Sequence, residues 1–252
     1  MPRKAREKSE SGIYHIILRG INRQIIFEDD EDRIKFLDTI KSYKEKSGYK
    51  IYGYCLMDNH VHLLLKEEKE DLGIVMRRIG ASFVYWYNWK YDRSGHLFQD
   101  RYKSETVETD NYFITVMRYI HQNPIKAGIV EEMSIYQWSS YREFMGKRGI
   151  TDVEEALNLI DENREKALKE FEEYHREINN DNCLEIEEIK KLRDSEAIEL
   201  IKKLCGVEKT TEIMNFEKEQ RDSCLKRLKD EKLSTRQIER LTGVSRQIVL
   251  KS

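Results

Sequence analysis

The sequence has no C-x-x-C pair, no long apolar run and no strong excess of one charge, and each absence excludes a class of protein. The four cysteines of the 252-residue chain show neither that spacing nor a secretory context, which predicts reduced thiols instead of a zinc site or a disulfide framework. No apolar stretch is as long as a membrane span, and no apolar core follows the charged N-terminal residues as in a signal peptide. We therefore expect a soluble, cytoplasmic protein without a membrane partner.

Charge is balanced over the whole chain but uneven along it. Charged residues make up 37% of the sequence and the formal net charge is −2, so the overall composition gives no sign of a nucleic-acid partner. The first eight residues, however, contain four basic side chains, Arg3 and Lys4 among them, against one acid, and acids are concentrated between positions 152 and 188. The near-zero total therefore leaves room for a local basic surface that would meet a phosphate backbone.

Apolar spacing in the first 149 residues predicts alternating strands and helices. Strand-forming runs lie at 13–18, 50–57, 61–66 and 97–107, and helical spacing lies at 28–46, 72–91 and 110–123. Asp110 is the expected cap of the last helix and Pro124 its expected stop. The order strand, helix, strand, strand, helix, strand, helix predicts an α+β domain with a ferredoxin-like antiparallel sheet and helices on one face.

The rest of the chain is predicted to be helical, with a linker at 150–183 and a C-terminal helical domain at 184–252. The segment 233–249 has the spacing of a helix-turn-helix, because Ser234 and Ser245 would cap short helices on either side of a turn at Gly243. A helical hairpin without a DNA role is the alternative. The DNA contacts predicted for this segment are Arg236, Arg246, Gln247 and Lys251.

Two histidines separated by one apolar residue, His60 and His62, stand at the head of the aliphatic run at 61–66. Successive side chains of a strand point to opposite faces, so Val61 would enter the core while the two imidazoles project together. Paired imidazoles are suited to holding one divalent metal ion. A His-x-His pair is weak evidence by itself, because such pairs also occur by chance, and other residues must complete the site.

Tyr119 and Asn123 lie four residues apart in the last predicted helix of the first domain and would share one face of it. An amide oxygen is an acceptable third ligand for Mg²⁺ or Mn²⁺, and a phenol can attack phosphorus once a metal polarises the phosphate. Taken singly, Tyr119 is better explained as a core aromatic and Asn123 as a helix-ending residue before proline. The other histidines are interpreted as structural or supporting: His15, His96, His121 and His175.

Four motifs, in matching order, resemble the REP-associated tyrosine transposases, a branch of the single-tyrosine HUH transposase superfamily. The resemblance covers about residues 10–145, and its motifs are Asp58-Asn59-His60-Val61-His62, Leu97 to Lys103, Arg118 to Gly128 and Trp138-Ser139-Ser140-Tyr141. It implies an enzyme that cuts and rejoins single-stranded DNA at hairpin-forming, REP-like repeats. Asn123 supports this branch, because many relatives in the wider superfamily carry Gln at that place.

The resemblance also implies roles for individual residues. His60, His62 and Asn123 would hold the divalent metal, Mg²⁺ or Mn²⁺. Tyr119 would attack the scissile phosphate and leave a 5′-phosphotyrosine bond with a free 3′-hydroxyl. Some members of the superfamily dimerise while the REP-associated branch can act as monomers, so we expect a monomer or homodimer that binds single-stranded and hairpin DNA.

Further DNA contacts are expected beside the site. Arg101 and Lys103 alternate along the predicted fourth strand and would contact phosphates, although solvated edge-strand charge explains them equally well. The segment after the first strand would contact bases or backbone through Arg19, Asn22 and Arg23. Trp86 and Trp89 have the helical spacing of core residues, and we favour that role over base stacking.

Two other functions share parts of this pattern. A rolling-circle replication initiator or relaxase also has paired histidines and a tyrosine, but the short domain and the Asn123-Pro124-Ile125-Lys126 segment argue against it. The other is a DNA-binding regulator that has lost catalysis, and the presence of all four chemical residues argues against it. An ordinary metallohydrolase would need a carboxylate base near the histidines, and Asp58 is better suited to a turn.

Overall fold

The computed structural model describes residues 6–177, 179, 181–185, 194–231 and 233–252. The chain divides into two compact units, 1–186 and 187–252. Arg3 and Lys4 lie outside the described residues. Within the described residues, none of the helices combines the length and the apolar character needed to cross a membrane.

The first unit is built on a four-stranded antiparallel sheet. Its strands are β1 (Ile13–Arg19), β2 (Lys50–Met57), β3 (His60–Lys66) and β4 (Lys103–Thr106), in the order β2-β3-β1-β4. Helix α1 (Asp30–Ser47) connects β1 to β2, and α2 (Leu72–Lys90) connects β3 to β4. This succession confirms the predicted α+β class with a ferredoxin-like sheet.

Helices cover both faces of the sheet, whereas the sequence predicted helices on one face. Leu63 and Leu65 of β3 pack with α1 and α2, while Leu64 packs on the other side with α3 (Asp110–Lys126). The strands are apolar at successive positions and not only at alternate ones, so both faces need a cover. His60 and His62 lie four and two residues before Leu64 on the same strand, so their side chains point to the same face as Leu64. That is the face covered by α3.

Helix α3 runs past the proline that was expected to stop it. It begins after Thr109, whose hydroxyl accepts a hydrogen bond from the Tyr112 amide, so the cap lies one residue before the predicted Asp110. Pro124 lies inside the last turn of the helix, which ends at Lys126. The proline lacks the backbone donor that would reach the Ile120 carbonyl, and the helix continues for only two residues beyond it.

The fourth strand is shorter than the predicted run at 97–107. Asp100 has a left-handed backbone with φ of 58°, which interrupts the extended conformation, and β4 starts only at Lys103. Residues Leu97 to Gln99 contact the end of β1 instead, since the Gln99 amide donates to the Arg19 carbonyl at 2.7 Å. Arg101 therefore lies in a bend and does not share a strand face with Lys103.

Residues beyond 149 belong to the first unit instead of linking two domains. Helices α4 (Tyr141–Phe144), α5 (Val153–Asn158) and α6 (Arg164–Arg176) follow α3, and fully buried Phe171 of α6 packs in the same core as α3. The buried guanidinium of Arg118 in α3 is held by Asp181, with Nε–Oδ2 at 2.7 Å and NH2–Oδ1 at 2.8 Å. The compact unit ends at 186, in place of the expected boundary at 149.

The second unit contains α7 (Asp194–Cys205), α8 (Lys218–Asp230), α9 (Thr235–Thr242) and α10 (Arg246–Lys251) around a small apolar core. Ser234 caps α9, because its hydroxyl accepts from the Gln237 amide at 3.2 Å, and Gly243 ends α9 with φ of 78°. Ser245 precedes α10 without capping it through its side chain; the Arg246 amide donates instead to Glu239 at 2.9 Å.

Candidate active site

Strand β3 presents the two histidines to the face that α3 covers. The ring centroids of His60 and His62 are 5.0 Å apart, and Val61 between them is fully buried on the opposite side. His62 is almost completely buried, with 2% of its surface exposed, while His60 is partly exposed. The two imidazoles thus share a site that is closed at His62 and open at His60.

Each imidazole is fixed through its Nδ1 atom. Nδ1 of His60 lies 2.6 Å from Oδ1 of Asn59, and Nδ1 of His62 lies 3.0 Å from Nε2 of His15 on β1. An amide oxygen only accepts hydrogen bonds, so Nδ1 of His60 carries the proton and Nε2 keeps its lone pair. His15 was interpreted from the sequence as a structural residue, and its place beside His62 follows only from the pairing of β1 with β3.

Helix α3 brings Tyr119 and Asn123 to the same place. The Tyr119 ring lies 5.7 Å from the His62 ring and 5.8 Å from the His15 ring, both edge to face. The Asn123 side chain lies within hydrogen-bonding reach of His60, and its Nδ2 donates to the Tyr119 backbone carbonyl at 2.8 Å. All four residues singled out by the sequence are therefore in one cluster, at the junction of β3 and α3.

The Tyr119 hydroxyl lies in a shielded position. It donates to Oε1 of Glu185 at 3.1 Å, the ring is 4% exposed, and Nζ of Lys126 lies 4.9 Å from the ring centroid. Burial, with Glu185 next, raises the pKa of Tyr119 above its ordinary value. The phenol is thus neutral at physiological pH in this structure, and its attack on phosphorus would need a nearby positive charge.

Both paired histidines are neutral at the same pH. Burial, and then the charge of Arg19, lower the pKa of His60 to about 4. Burial and the neighbouring imidazoles His15 and His60 hold the pKa of His62 well below its ordinary value. Neutral imidazole is the form that ligates metals.

The donor atoms fit a divalent metal ion. Nδ2 of Asn123 is used on a backbone carbonyl and Nδ1 of His60 on Asn59, so Oδ1 of Asn123 and Nε2 of His60 remain as acceptors. Because neutral His60 has no proton on Nε2, these two acceptor atoms cannot hydrogen-bond to each other. A cation bound between them would satisfy both. Among the residues that the structure describes, no three His, Cys, Asp or Glu side chains form a metal cluster. A metal at this site would thus depend on the amide as its third ligand.

Asp58 does not serve the site as a base. Its carboxylate pairs with the Arg33 guanidinium at 2.5 Å, and Asp58 itself is exposed in the turn between β2 and β3. The other histidines lie elsewhere. His121 and His175 are buried with their rings hydrogen-bonded to each other at 2.9 Å, and His96 is exposed in a loop.

The predicted DNA contacts lie on several segments. Arg19 pairs with His60 in the β1–β3 ladder, and Asn22 and Arg23 are exposed with left-handed φ angles of 51° and 63°. Arg101 and Lys103 are exposed, and in the second unit so are Arg236, Arg246, Gln247 and Lys251. Their contacts with DNA stay predictions.

The core role expected for Trp89 is wrong. Trp89 is 75% exposed and its neighbour one turn earlier on α2, Tyr85, is 79% exposed. Trp86, by contrast, packs against the core beside Phe83. The aromatic side chains of α2 therefore lie on more of the helix surface than the one face that packs against the core.

The comparisons with known proteins agree with this geometry. The model of the IS200-like transposase family matches residues 8–123, which include both histidines, Tyr119 and Asn123. The structure of a REP-associated tyrosine transposase bound to a REP hairpin is similar with a TM-score of 0.51 and 17% identity, over 58% of this chain and 87% of that chain. A protein of Deinococcus radiodurans R1 assigned as a transposase gives a TM-score of 0.35 and 18% identity, over 50% of this chain and 97% of that chain. No curated protein matches.

Residues 8–123 are therefore similar to the IS200-like transposase family. The resemblance to the REP-associated tyrosine transposases that the four motifs indicated agrees with this match and with the fold shared with the solved structure.

Proposed function

We propose that this protein is a transposase that cuts and rejoins single-stranded DNA through a covalent bond between Tyr119 and a 5′ phosphate. The convergence of Tyr119, Asn123 and the two histidines from two separate elements carries the proposal. A tyrosine beside neutral imidazoles and an amide suits phosphoryl transfer, in which a bound metal polarises the phosphate and supports the attacking oxygen.

In this mechanism His60, His62 and Asn123 would hold the divalent metal, Mg²⁺ or Mn²⁺. The Tyr119 oxygen forms a bond to phosphorus as the phenol loses its proton. The bond from phosphorus to the 3′ oxygen breaks, and that oxygen takes up a proton to become a free 3′-hydroxyl. Rejoining reverses these steps with another 3′-hydroxyl, so the phosphodiester bond energy is retained in the phosphotyrosine and no ATP is needed.

We also propose that the substrate is a hairpin with a single-stranded flank, as in REP-like repeats. The similar structure named above contains a REP hairpin. In this chain, the exposed side chains of Asn22 and Arg23 after β1 would contact the backbone near the site. The α9–α10 pair has two short helices on either side of a turn at Gly243, and its exposed Arg246, Gln247 and Lys251 would contact the duplex stem.

The test is covalent capture of DNA by the full chain. Wild type and Tyr119→Phe are incubated with a labelled hairpin that has a single-stranded flank and with Mn²⁺, and then separated on a denaturing gel. Tyr119→Phe removes one oxygen with little change in packing, so it should keep the melting temperature but lose the shifted protein–DNA band. His60→Ala should lose both the band and free cleavage product.

Two outcomes would contradict the proposal. A covalent band that persists in Tyr119→Phe would show that another tyrosine is the nucleophile. Tyr112 is the nearest in sequence. Cleavage by wild type without any covalent band would indicate attack by water and a metal-dependent hydrolase.

A further inference from the structure

We propose that His15 and Glu105 are positioning residues for His62, so that the metal site is supported by a row of side chains across three strands. The inference rests on the proposed function of His62 as a metal ligand. Neither residue is expected to touch the metal or the DNA; both act through the imidazole of His62.

Strand pairing places the three residues in one row. His15 of β1 lies directly opposite Glu105 of β4, and Ile17, two residues further along β1, lies opposite His62 of β3. Residues two apart on a strand share a face, so His15 and His62 are diagonal neighbours on the face that α3 covers. The row Glu105–His15–His62 thus runs from the edge of the sheet to the two-histidine site.

The hydrogen bond between the two imidazoles fixes which nitrogen of His62 faces the metal. Nε2 of His15 lies 3.0 Å from Nδ1 of His62, and the rings are stacked with centroids 5.3 Å apart. One of these two nitrogens must carry the proton. If Nδ1 of His62 carries the proton, Nε2 of His62 has the free lone pair and can bind a metal ion. Histidines that bind a metal through one nitrogen usually donate a hydrogen bond from the other nitrogen to a partner.

Glu105 determines the direction of that hydrogen bond. When Nε2 of His15 accepts from His62, the proton of neutral His15 is on its Nδ1, which lies 3.6 Å from Oε2 of Glu105. This distance is within ion-pair range, though longer than a hydrogen bond. Buried Nδ1 of His15 has no hydrogen-bond partner among the described residues, so the carboxylate is the group that favours a proton there.

The carboxylate itself is held in place. Oε2 of Glu105 accepts from the Leu184 amide at 2.9 Å, and the Tyr112 side chain hydrogen-bonds to the same carboxylate. Half-buried Glu105 is therefore oriented from two sides toward His15. A flexible surface glutamate would not be able to favour one proton position on a neighbouring ring.

His175 shows what a purely structural buried histidine looks like in this protein. Its Nδ1 donates to the Phe171 carbonyl at 2.7 Å and its Nε2 pairs with His121 at 2.9 Å, so both nitrogens are satisfied within the core. His15 is equally buried, yet only its Nε2 has a close partner, and that partner is a proposed metal ligand. The two histidines thus make a matched pair for an experiment.

The experiment measures Mn²⁺ affinity of the full chain without DNA, by calorimetry, together with the melting temperature. His15→Leu fills the space but leaves Nδ1 of His62 without an acceptor, and Mn²⁺ binding should weaken about 10- to 100-fold. His15→Gln places an amide oxygen near the position of the lost Nε2 and should restore most of the affinity. Glu105→Gln should weaken binding about 10-fold with little loss of stability.

The control is His175→Leu, which also removes a buried imidazole and should lower the melting temperature without changing Mn²⁺ affinity. A spectroscopic readout accompanies it: in ¹⁵N-labelled protein His62 should be in the Nδ1–H tautomer, and His15→Leu should shift it toward a mixture of tautomers. A purely structural role for His15 would leave that tautomer unchanged.

The outcomes separate this inference from the proposed function. If His60→Ala and His62→Ala abolish Mn²⁺ binding while His15→Leu and Glu105→Gln bind as wild type, His15 and Glu105 are ordinary packing residues and the inference is overturned. If His60→Ala and His62→Ala also bind Mn²⁺ as wild type, the metal site itself is elsewhere and both proposals fall. Should His15→Leu not fold, Glu105→Gln and His15→Gln alone decide between these results.

Discussion

Acidification should destabilise the first unit through His175, a fully buried imidazole of α6. Its Nδ1 donates to a backbone carbonyl, its Nε2 pairs with His121, and its ring lies 3.9 Å from the Phe171 ring, centroid to centroid. Burial in this aromatic cluster lowers the pKa of His175 from 6.5 to about 3. A proton added to the folded protein would remain in the core, where the charges of Arg118 and Asp181 act on it in opposite directions.

The sign of the effect follows from the two pKa values. Between pH 6.5 and about 3 the unfolded chain binds a proton at His175 that the folded chain does not bind, so stability is highest above pH 6.5 and falls as the pH falls. Each pH unit in this window costs about 1.4 kcal/mol, which gives a loss of about 2 kcal/mol at pH 5. That is a large part of the stability of an ordinary domain.

Urea unfolding at pH 7 and pH 5 measures this loss in the first unit alone. All three tryptophans, Trp86, Trp89 and Trp138, lie within residues 1–186, so tryptophan fluorescence follows only that unit. His175→Gln lacks the titrating group, and wild type should therefore lose about 2 kcal/mol more than this variant between the two pH values. Parallel pH dependences of wild type and variant would refute the reasoning.

Three further results are expected. Asp181→Ala leaves the buried Arg118 guanidinium without its two-point partner and should cost about 3 kcal/mol in the same fluorescence assay, and a loss below about 1 kcal/mol would exclude the pair as an anchor of the 181–185 segment. Chelation with EDTA should abolish cleavage and leave the melting temperature almost unchanged, and added Mn²⁺ should restore cleavage; cleavage that survives EDTA would contradict a metal-dependent site. Arg246→Ala combined with Lys251→Ala should reduce the salt dependence of hairpin binding by about two counterions, and an unchanged slope would exclude α10 from phosphate contact.

Local patterns predicted which candidate residues share a face of one element. Alternation along β3 placed His60 and His62 on one face, and the spacing of four residues placed Tyr119 and Asn123 on one side of α3. Both inferences depend only on the periods of a strand and a helix, which are properties of short segments. The four motifs then indicated that the two segments meet, and the structure places them in contact.

The features that the sequence did not predict depend on contacts between residues that are far apart in the chain. His15 is 47 residues from His62, and nothing near either residue indicates that β1 pairs beside β3 in a register that joins their rings. The charged surface of α6 suggested a linker, whereas its one buried stripe, with Phe171 at the centre, packs into the first unit. Pro124 was expected to end α3, but the helix continues for two residues beyond it, to Lys126.

The most direct test of the central claim is to identify the tyrosine that carries DNA. The full chain is incubated with hairpin substrate and Mn²⁺, the DNA is digested with nuclease to a short remnant, and the protein is cleaved with trypsin for mass spectrometry. Arg118 separates two candidates, because Tyr112 falls in the peptide 104–118 and Tyr119 in the peptide 119–126. A nucleotide mass on peptide 119–126 and not on 104–118 is the predicted result. An adduct on any other tyrosine, or no adduct while the DNA is cut, would contradict the claim that Tyr119 is the nucleophile.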